Sequence, residues 1–347
     1  MSKNIKGVLM CILIAVPAWI LGNIKPVIGA PVFAILFGMI IGIFFKDKGD
    51  FLSGIAFTSK KVLQYAVILL GFGLNLKTVL SVGATSLPII LSTILTSLIV
   101  AYFMSKLFKI DTKIATLIGV GSSICGGSAI AATAPVIDAD DSDIAQAISV
   151  IFLFNLIAAL IFPTIGMILG FSNDGFALFA GTAVNDTSSV TATASAWDSI
   201  HNTGSLVLDK ATIVKLTRTL AIIPITLTLA IYRAKKTADK NASIDIKKIF
   251  PMFILYFVIC SFVTTLAEVL IGNNVINQNM AVYVHEFFHI AKKLSKFFIV
   301  MAMSAIGLNT DIVKLIKSGI KPMILGGCCW LSIIIMSISI QKIIGVF

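Results

Sequence analysis

Gly119 to Asp138 reads GVGSSICGGSAIAATAPVID. Long apolar runs flank it, yet it is rich in Gly, Ser, Ala and Thr, with Gly126 and Gly127 adjacent at its centre. Glycine inside a helix costs about 1 kcal/mol relative to alanine, so an adjacent pair predicts a break. The N–H and C=O groups freed by a break cannot stay unpaired in hydrocarbon, and irregular backbone survives there only inside protein or around a polar cavity. The stretch is therefore expected to form a discontinuous membrane helix, the arrangement that holds small solutes near the bilayer midplane in transporters.

The chain carries an echo of this stretch. Gly181 to Trp197 reads GTAVNDTSSVTATASAW, and a slide of 60 residues sets Gly121 on Gly181, Ser128 on Ser188, Ile130 on Val190, Thr133 on Thr193 and Ala134 on Ala194. Where the first copy has Cys125-Gly126-Gly127, the second has Asn185-Asp186-Thr187. One copy offers bare backbone; the other offers a carboxylate with amide and hydroxyl neighbours. Small residues also let membrane helices pack closely, but close packing leaves the carboxylate and the paired breaks unexplained.

Around these two stretches lie 347 residues, 58% hydrophobic and 12% charged, with a mean hydropathy of +1.02. Apolar runs of about 20 residues mark membrane spans. Eleven hydrophobic elements are expected, near 6–23, 29–45, 60–75, 84–107, 112–137, 142–170, 173–200, 206–232, 249–271, 289–307 and 319–344, the fifth and seventh being the broken ones. They form a single membrane domain over 1–347: repeat helices in 1–107, the broken-helix region in 112–200 and repeat helices again in 206–347. No cleavable signal is expected, because the first apolar run carries Pro17 and lacks a small-residue cleavage site. The net charge of +11 does not point to nucleic acid, since the Lys and Arg lie in short loops. With an N-terminus inside, alternate loops gather most of the 27 Lys and Arg, which favours a cytoplasmic N-terminus and an external C-terminus. Re-entrant hairpins in place of the two broken crossings leave every basic loop on the same side. The five Cys have neither zinc-like nor disulfide spacing.

A longer repeat is also visible. Gly73-Leu74-Asn75 precedes Pro88 by the interval at which Gly307-Leu308-Asn309 precedes Pro322. Pro31 and Pro251 open similar spans, and Pro17 matches Pro224. Elements 1–4 thus resemble elements 8–11. A separation of seven elements makes the copies antiparallel, an inverted repeat of the kind used in alternating access.

Asp186 is the main candidate for chemistry. A carboxylate at membrane depth is costly and usually functional. With Asn185, Thr187, Ser188 and Ser189 it can ligate Na⁺ or exchange a proton, and it can also cap the second half-helix. The half-helix starting at Gly126, Gly127 and Ser128 aims N–H groups at the gap and forms an anion cradle with Ser122, Ser123 and Cys125. Lys215 and Arg218, three residues apart on one helix face, are expected to attract an anion, to pair with Asp186 or to snorkel to the interface. Asn75 and Asn309 read as polar glue between helices, and Glu268 as a charge at a span end. His285-Glu286-Phe287-Phe288-His289 matches the zinc-protease pattern H-E-x-x-H. It continues as the amphipathic IAKKLSKFF, so it is read as a helix lying at the membrane surface without metal.

GSSICGGSAIAATAPVI, AGTAVNDTSSVTATASA and the late IGLN together resemble the YeiH-type family of bacterial membrane proteins assigned to sulfate export. The resemblance covers nearly the whole chain. It implies a fold like that of the sodium/bile acid symporters and cation/proton antiporters, and a place in the bacterial cytoplasmic membrane. The expectation is an all-α polytopic membrane protein with inverted repeats and two discontinuous helices facing each other. It is expected to be a secondary transporter, not an enzyme. Its substrate is a small anion of the sulfate, sulfonate or carboxylate class, bound by Ser122, Ser123, Cys125, Gly126, Gly127, Ser128, Asn185, Thr187, Ser188, Ser189 and Arg218. Asp186 couples transport to Na⁺ or H⁺, with no other cofactor. Partners are the lipid bilayer and, in one reading, a second copy in a homodimer. The rival readings are a channel-like or structural membrane protein and an intramembrane metalloprotease.

Overall fold

The computed structural model describes residues 2–24, 30–45, 48–222, 224–229, 252–273, 275–310 and 319–347, and among these it is helical with no strand. The helices are α1 Ser2–Ile24, α2 Ala30–Phe44, α3 Leu52–Phe57, α4 Leu63–Leu70, α5 Leu76–Phe108, α6 Thr112–Ser123, α7 Gly127–Thr133, α8 Asp141–Leu169, α9 Asn173–Ala183, α10 Thr187–His201, α11 Leu206–Thr219, α12 Met252–Gly272, α13 Gln278–Asn309 and α14 Ile320–Ile344. Among the described residues seven helical runs are long and apolar enough to cross a membrane, and α2 is a shorter apolar helix. The all-α polytopic class expected from the sequence is the class observed. Large apolar side chains such as Leu13, Phe44, Ile168 and Ile343 face outward, as lipid requires. The basic stretch at 233–248, Pro251, Lys314 and Lys317 lie outside the described residues.

The chain divides into two compact units. One comprises Met1–Ala84, Ala194–Asp209 and Pro251–Asp311. Its longest helix, α13, packs on α2 with the backbones almost touching. A Cβ on Gly307 would sit 2.3 Å from the Ile35 carbonyl oxygen, and one on Gly38 would sit 2.4 Å from that of Ser304. α1 crosses α3 equally closely at Gly7 and Gly54. Apolar side chains gain little from leaving lipid for protein, so small residues and interhelical hydrogen bonds hold such crossings. Ser304 Oγ donates to the Cys11 carbonyl at 3.0 Å, and Ser295 Oγ to that of Ala66 at 2.6 Å. Asn75 is glue of the same kind: its Nδ2 donates to Glu268 at 2.8 Å while its Oδ1 accepts from the N–H of Lys77.

Two boundaries in this unit differ from the expectation. The third element is helical from Gly49 rather than from 60, and it runs through a π-turn at Thr58–Val62 that contains Lys60 and Lys61. These two lysines are exposed on a continuous helix instead of lying in a loop. The tenth element begins at Gln278, not 289. The HEFFH segment is therefore not a separate surface helix but the first half of α13, where Phe287 and Phe288 pack against Phe72.

The other unit comprises Thr85–Thr193, Lys210–Phe250 and Ile312–Phe347. Leu117, Ile118, Ile130, Val150, Ile151 and Leu325 form its buried core. Both expected breaks are present here, α6 from α7 and α9 from α10. α14 is fastened to α9 by a buried polar contact, Thr182 Oγ1 with Ser337 Oγ at 2.8 Å. Lone polar groups in an otherwise apolar span fix register in this way.

Candidate functional site

The first half-helices of both broken elements start with side-chain caps. Asp111 accepts from the N–H of Lys113 at 2.7 Å for α6, and Ser172 from that of Gly175 at 3.0 Å for α9. At the breaks the backbone leaves the helical path. Gly126 has φ +70°, Ile124 has φ −121° and ψ −91°, and Val184 is extended. The two breaks touch: a Cβ on Gly126 would lie 3.6 Å from the Asp186 Cβ.

Each break strands the last carbonyls of a half-helix, and two fully buried cations collect them. Lys215 Nζ donates to the carbonyls of Ile124 at 2.6 Å, Val184 at 3.1 Å and Asn185 at 2.5 Å. Arg218 Nε donates to Ser123 at 2.7 Å, Nη1 to Thr182 at 2.6 Å and Nη2 to Ser122 at 2.5 Å. Cations at helix C-termini also offset the negative end of the helix dipole. α11 can approach this closely because Gly181 has no side chain: a Cβ there would fall 2.6 Å from that of Val214. The snorkelling expectation for Lys215 and Arg218 is overturned, since both are 0% exposed. Their hydrogen bonds go to carbonyls of the breaks, so the expected pairing with Asp186 is replaced by backbone capture.

Asp186 caps α10. Its carboxylate accepts from the N–H of Ser188 at 3.0 Å and from the Ser188 hydroxyl, and the residue is half-buried. α7, by contrast, starts at Gly126 with no side-chain cap. A Cβ on Gly127 would meet nothing within 4 Å, and Ser128 is exposed. Thr187 and Ser189 are half-buried beside Asp186. The remaining candidates lie deeper. Cys125 packs in an apolar cluster with Val120, Ile124, Ala129 and Ile222, and Ser123 Oγ turns back onto the Val120 carbonyl. Two buried groups at the breaks have no partner among the described residues: the Ser122 hydroxyl, and both ends of the Asn185 side-chain amide.

Asn155 escaped the sequence reading. It is a lone Asn in the apolar run of α8, 2% exposed, and its Oδ1 accepts from the N–H of Asn185 at 3.0 Å, which pins the second break to α8. Its signal was the cost of an amide in mid-span. In the other unit, His285 and His289 lie exposed on α13. Among the described residues no group of three His, Cys, Asp or Glu is placed to hold a metal.

Helix lengths, hydropathy and the enclosed charged cluster define a multi-pass α-helical membrane protein. The description of the conserved hypothetical protein 698 family matches residues 6–326. A UPF0324 membrane protein of Fusobacterium nucleatum is 65% identical over 347 residues, 100% of both chains. One of Streptococcus agalactiae is 60% identical over 344 residues, 99% of this chain and 98% of its own, and one of Streptococcus mutans is 58% identical over 349 residues with the same coverage. The chain belongs to the conserved hypothetical protein 698 family of UPF0324 bacterial membrane proteins.

Proposed function

We propose that the protein is a secondary transporter of a small anion, working by alternating access, with its site at the two breaks and Asp186 as the coupling group. The observation that carries the reading is the Asn185 side chain. It is fully buried where the broken helices meet, and neither end of its amide has a partner among the described residues. A buried orphan polar group costs about 1–3 kcal/mol and calls for an explanation. A ligand that accepts from Nδ2, or an ion held by Oδ1, supplies one.

Electrostatics favours an anion. Each helix terminus carries about half an elementary charge. Lys215 and Arg218 together offset the C-termini of α6 and α9 and the carboxylate of Asp186. The N-termini of α7 and α10 then leave about one positive charge in excess. Asp186 also sets the coupling. Ionised, it occupies the α10 N-terminus itself; neutralised by a proton or by Na⁺, it leaves those donors to the substrate. In this reading Gly127, Ser128, Thr187 and Ser189, which reach the surface, meet the substrate first, and Arg218 acts by holding the breaks open.

The resemblance to the YeiH-type sulfate exporters, the inverted repeat and a cytoplasmic-membrane location with the N-terminus inside belong to the same reading. The same pairs of elements pack closely in both halves, Gly71 of the third against the Phe257 carbonyl of the ninth and Gly307 of the tenth against the Ile35 carbonyl of the second, two residues out of the register that sets Gly73 on Gly307. The test is exchange in proteoliposomes loaded with sulfate, a sulfonate, bicarbonate or a small carboxylate. Saturable exchange with at least one of them, dependent on an ion gradient, is expected. Absence of exchange across that series favours a structural protein.

A further inference from the structure

The first unit holds a cavity that the transport reading does not use. Its volume is ≈ 620 Å³, within the range of about 300–1,000 Å³ of small-molecule sites. One wall is a stripe of α13: His289, Lys292, Lys293 and Lys296 all line it. Their spacing of three and four residues sets them on one helix face. The rest of the lining is mixed: Asn23 at the end of α1, Ser199 on α10 and Asn202 and Gly204 in the turn before α11 are polar, Trp19 and Leu208 are apolar, and Asp198 is acidic. That turn is held by left-handed backbone at both residues, φ +55° and +71°.

Two acids meet the stripe, and both hold hydrogen bonds of their own, Asp209 through one of its two oxygens. Asp198 accepts from the N–H groups of Val207 at 3.0 Å and Leu208 at 2.9 Å and from the Thr203 hydroxyl, so it caps α11. Asp209 accepts from Lys292 at 2.6 Å and from Ser205 at 3.1 Å. The stem of Lys292 lies over Gly73, where a Cβ would fall 2.9 Å from its Cδ. Lys296 Nζ has the Gly204 carbonyl, at 2.7 Å. Lys293 makes no ion pair among the described residues and is exposed. Like charges one turn apart on a helix repel, and here they converge on one concave space that also holds two Asn amides.

We propose that this cavity is an oxyanion site, taking a sulfate, sulfonate or phosphate group, either free or as the headgroup phosphate of an anionic lipid. Ammonium groups bind such oxygens through short charge-assisted hydrogen bonds, and the two Asn amides supply further donors. The second half of the HEFFH motif then has a role: His289 opens a basic stripe. The proposal is independent of the site at the breaks.

The experiment uses the full chain purified in lipid-free detergent. Thermal unfolding and calorimetric titration are followed with sodium sulfate and sodium phosphate against sodium chloride at equal ionic strength. Native mass spectrometry of protein exposed to phosphatidylglycerol supplies the lipid arm. Binding of a free oxyanion, weakened at least about tenfold in Lys293→Gln/Lys296→Gln and kept in Asp186→Asn, supports the proposal with a free ligand. Retained phosphatidylglycerol, lost in the double variant, supports it with a headgroup. Lys293→Gln alone, at an exposed position, serves if the double variant does not fold. Binding of neither in the wild type, or unchanged binding in a folded variant, overturns it. Loss in Asp186→Asn with retention in the lysine variants assigns the bound anion to the breaks and also overturns it.

Discussion

The two interrupted helices of the second unit meet the same backbone problem with different residues. Both breaks hand their stranded carbonyls to Lys215 and Arg218. On the other side they diverge. α7 starts at a left-handed glycine with no side-chain cap, whereas α10 starts at a carboxylate that bonds its own helix. The C-terminal sides are thus a fixed frame and the N-terminal sides are where chemistry is possible. One is bare, and the other is closed by a group whose charge a proton or Na⁺ can cancel.

The frame gives the largest expected effect. Arg218→Ala removes one fully buried cation from the breaks and leaves the Ser122, Ser123 and Thr182 carbonyls without that donor. Breaking a buried charge network by deleting one member costs about 3–5 kcal/mol. Unfolding in detergent should show a loss of that size, with Arg218→Lys recovering only part because an ammonium cannot span the fork. A change within about 0.5 kcal/mol, the scale of an ordinary surface substitution, would remove the frame from the comparison.

The two glycines separate the backbone requirement from the space. Gly126→Ala puts a Cβ on a residue at φ +70°, 3.3 Å from Ile151 Cγ2, and should cost about 1–3 kcal/mol. Gly127→Ala adds a methyl group into open space and should alter stability by less than about 0.5 kcal/mol while raising the apparent KM. Equal losses from both substitutions would mean that the pair is only a helix breaker. Asn185→Ala should move in the opposite direction. Relieving the orphaned amide leaves the ligand-free protein as stable or up to about 1 kcal/mol more stable, with ligand-induced stabilisation lost. Thermal unfolding with and without substrate checks both halves.

Much of this comparison was legible in the sequence. The Gly pair and the Asn-Asp-Thr triplet announced both breaks to within a residue or two, because polar and small residues in an apolar run have few other physical causes. The destination of Lys215 and Arg218 was not legible. Their partners are main-chain carbonyls, which leave no trace in residue identity, so lone cations in a span read equally well as snorkels. Lys60 and Lys61 read as a loop because paired charges in a short window outweigh helical continuity on either side, yet the helix continues through both with their side chains exposed. The start of α13 was hidden because its first half, QNMAVYVHEFFHIAKK, interrupts its apolar residues with His285, Glu286, His289 and a Lys pair and so forms no continuous apolar run.

The central claim is that Asp186 couples an ion to the movement of an anion rather than only capping α10. Asp186→Asn tests it most directly, because Asn is as good a cap as Asp and the frame made by Lys215 and Arg218 is untouched. Uptake by reconstituted protein is measured with and without an imposed Na⁺ or proton gradient, with Asp174→Asn, at the exposed Lys210 pair, as the control. The account predicts that Asp186→Asn folds with near wild-type stability and loses gradient-driven uptake, while Asp174→Asn keeps it. Gradient-driven uptake by Asp186→Asn at the wild-type rate and with the wild-type ion dependence would contradict the account and leave Asp186 as a helix cap.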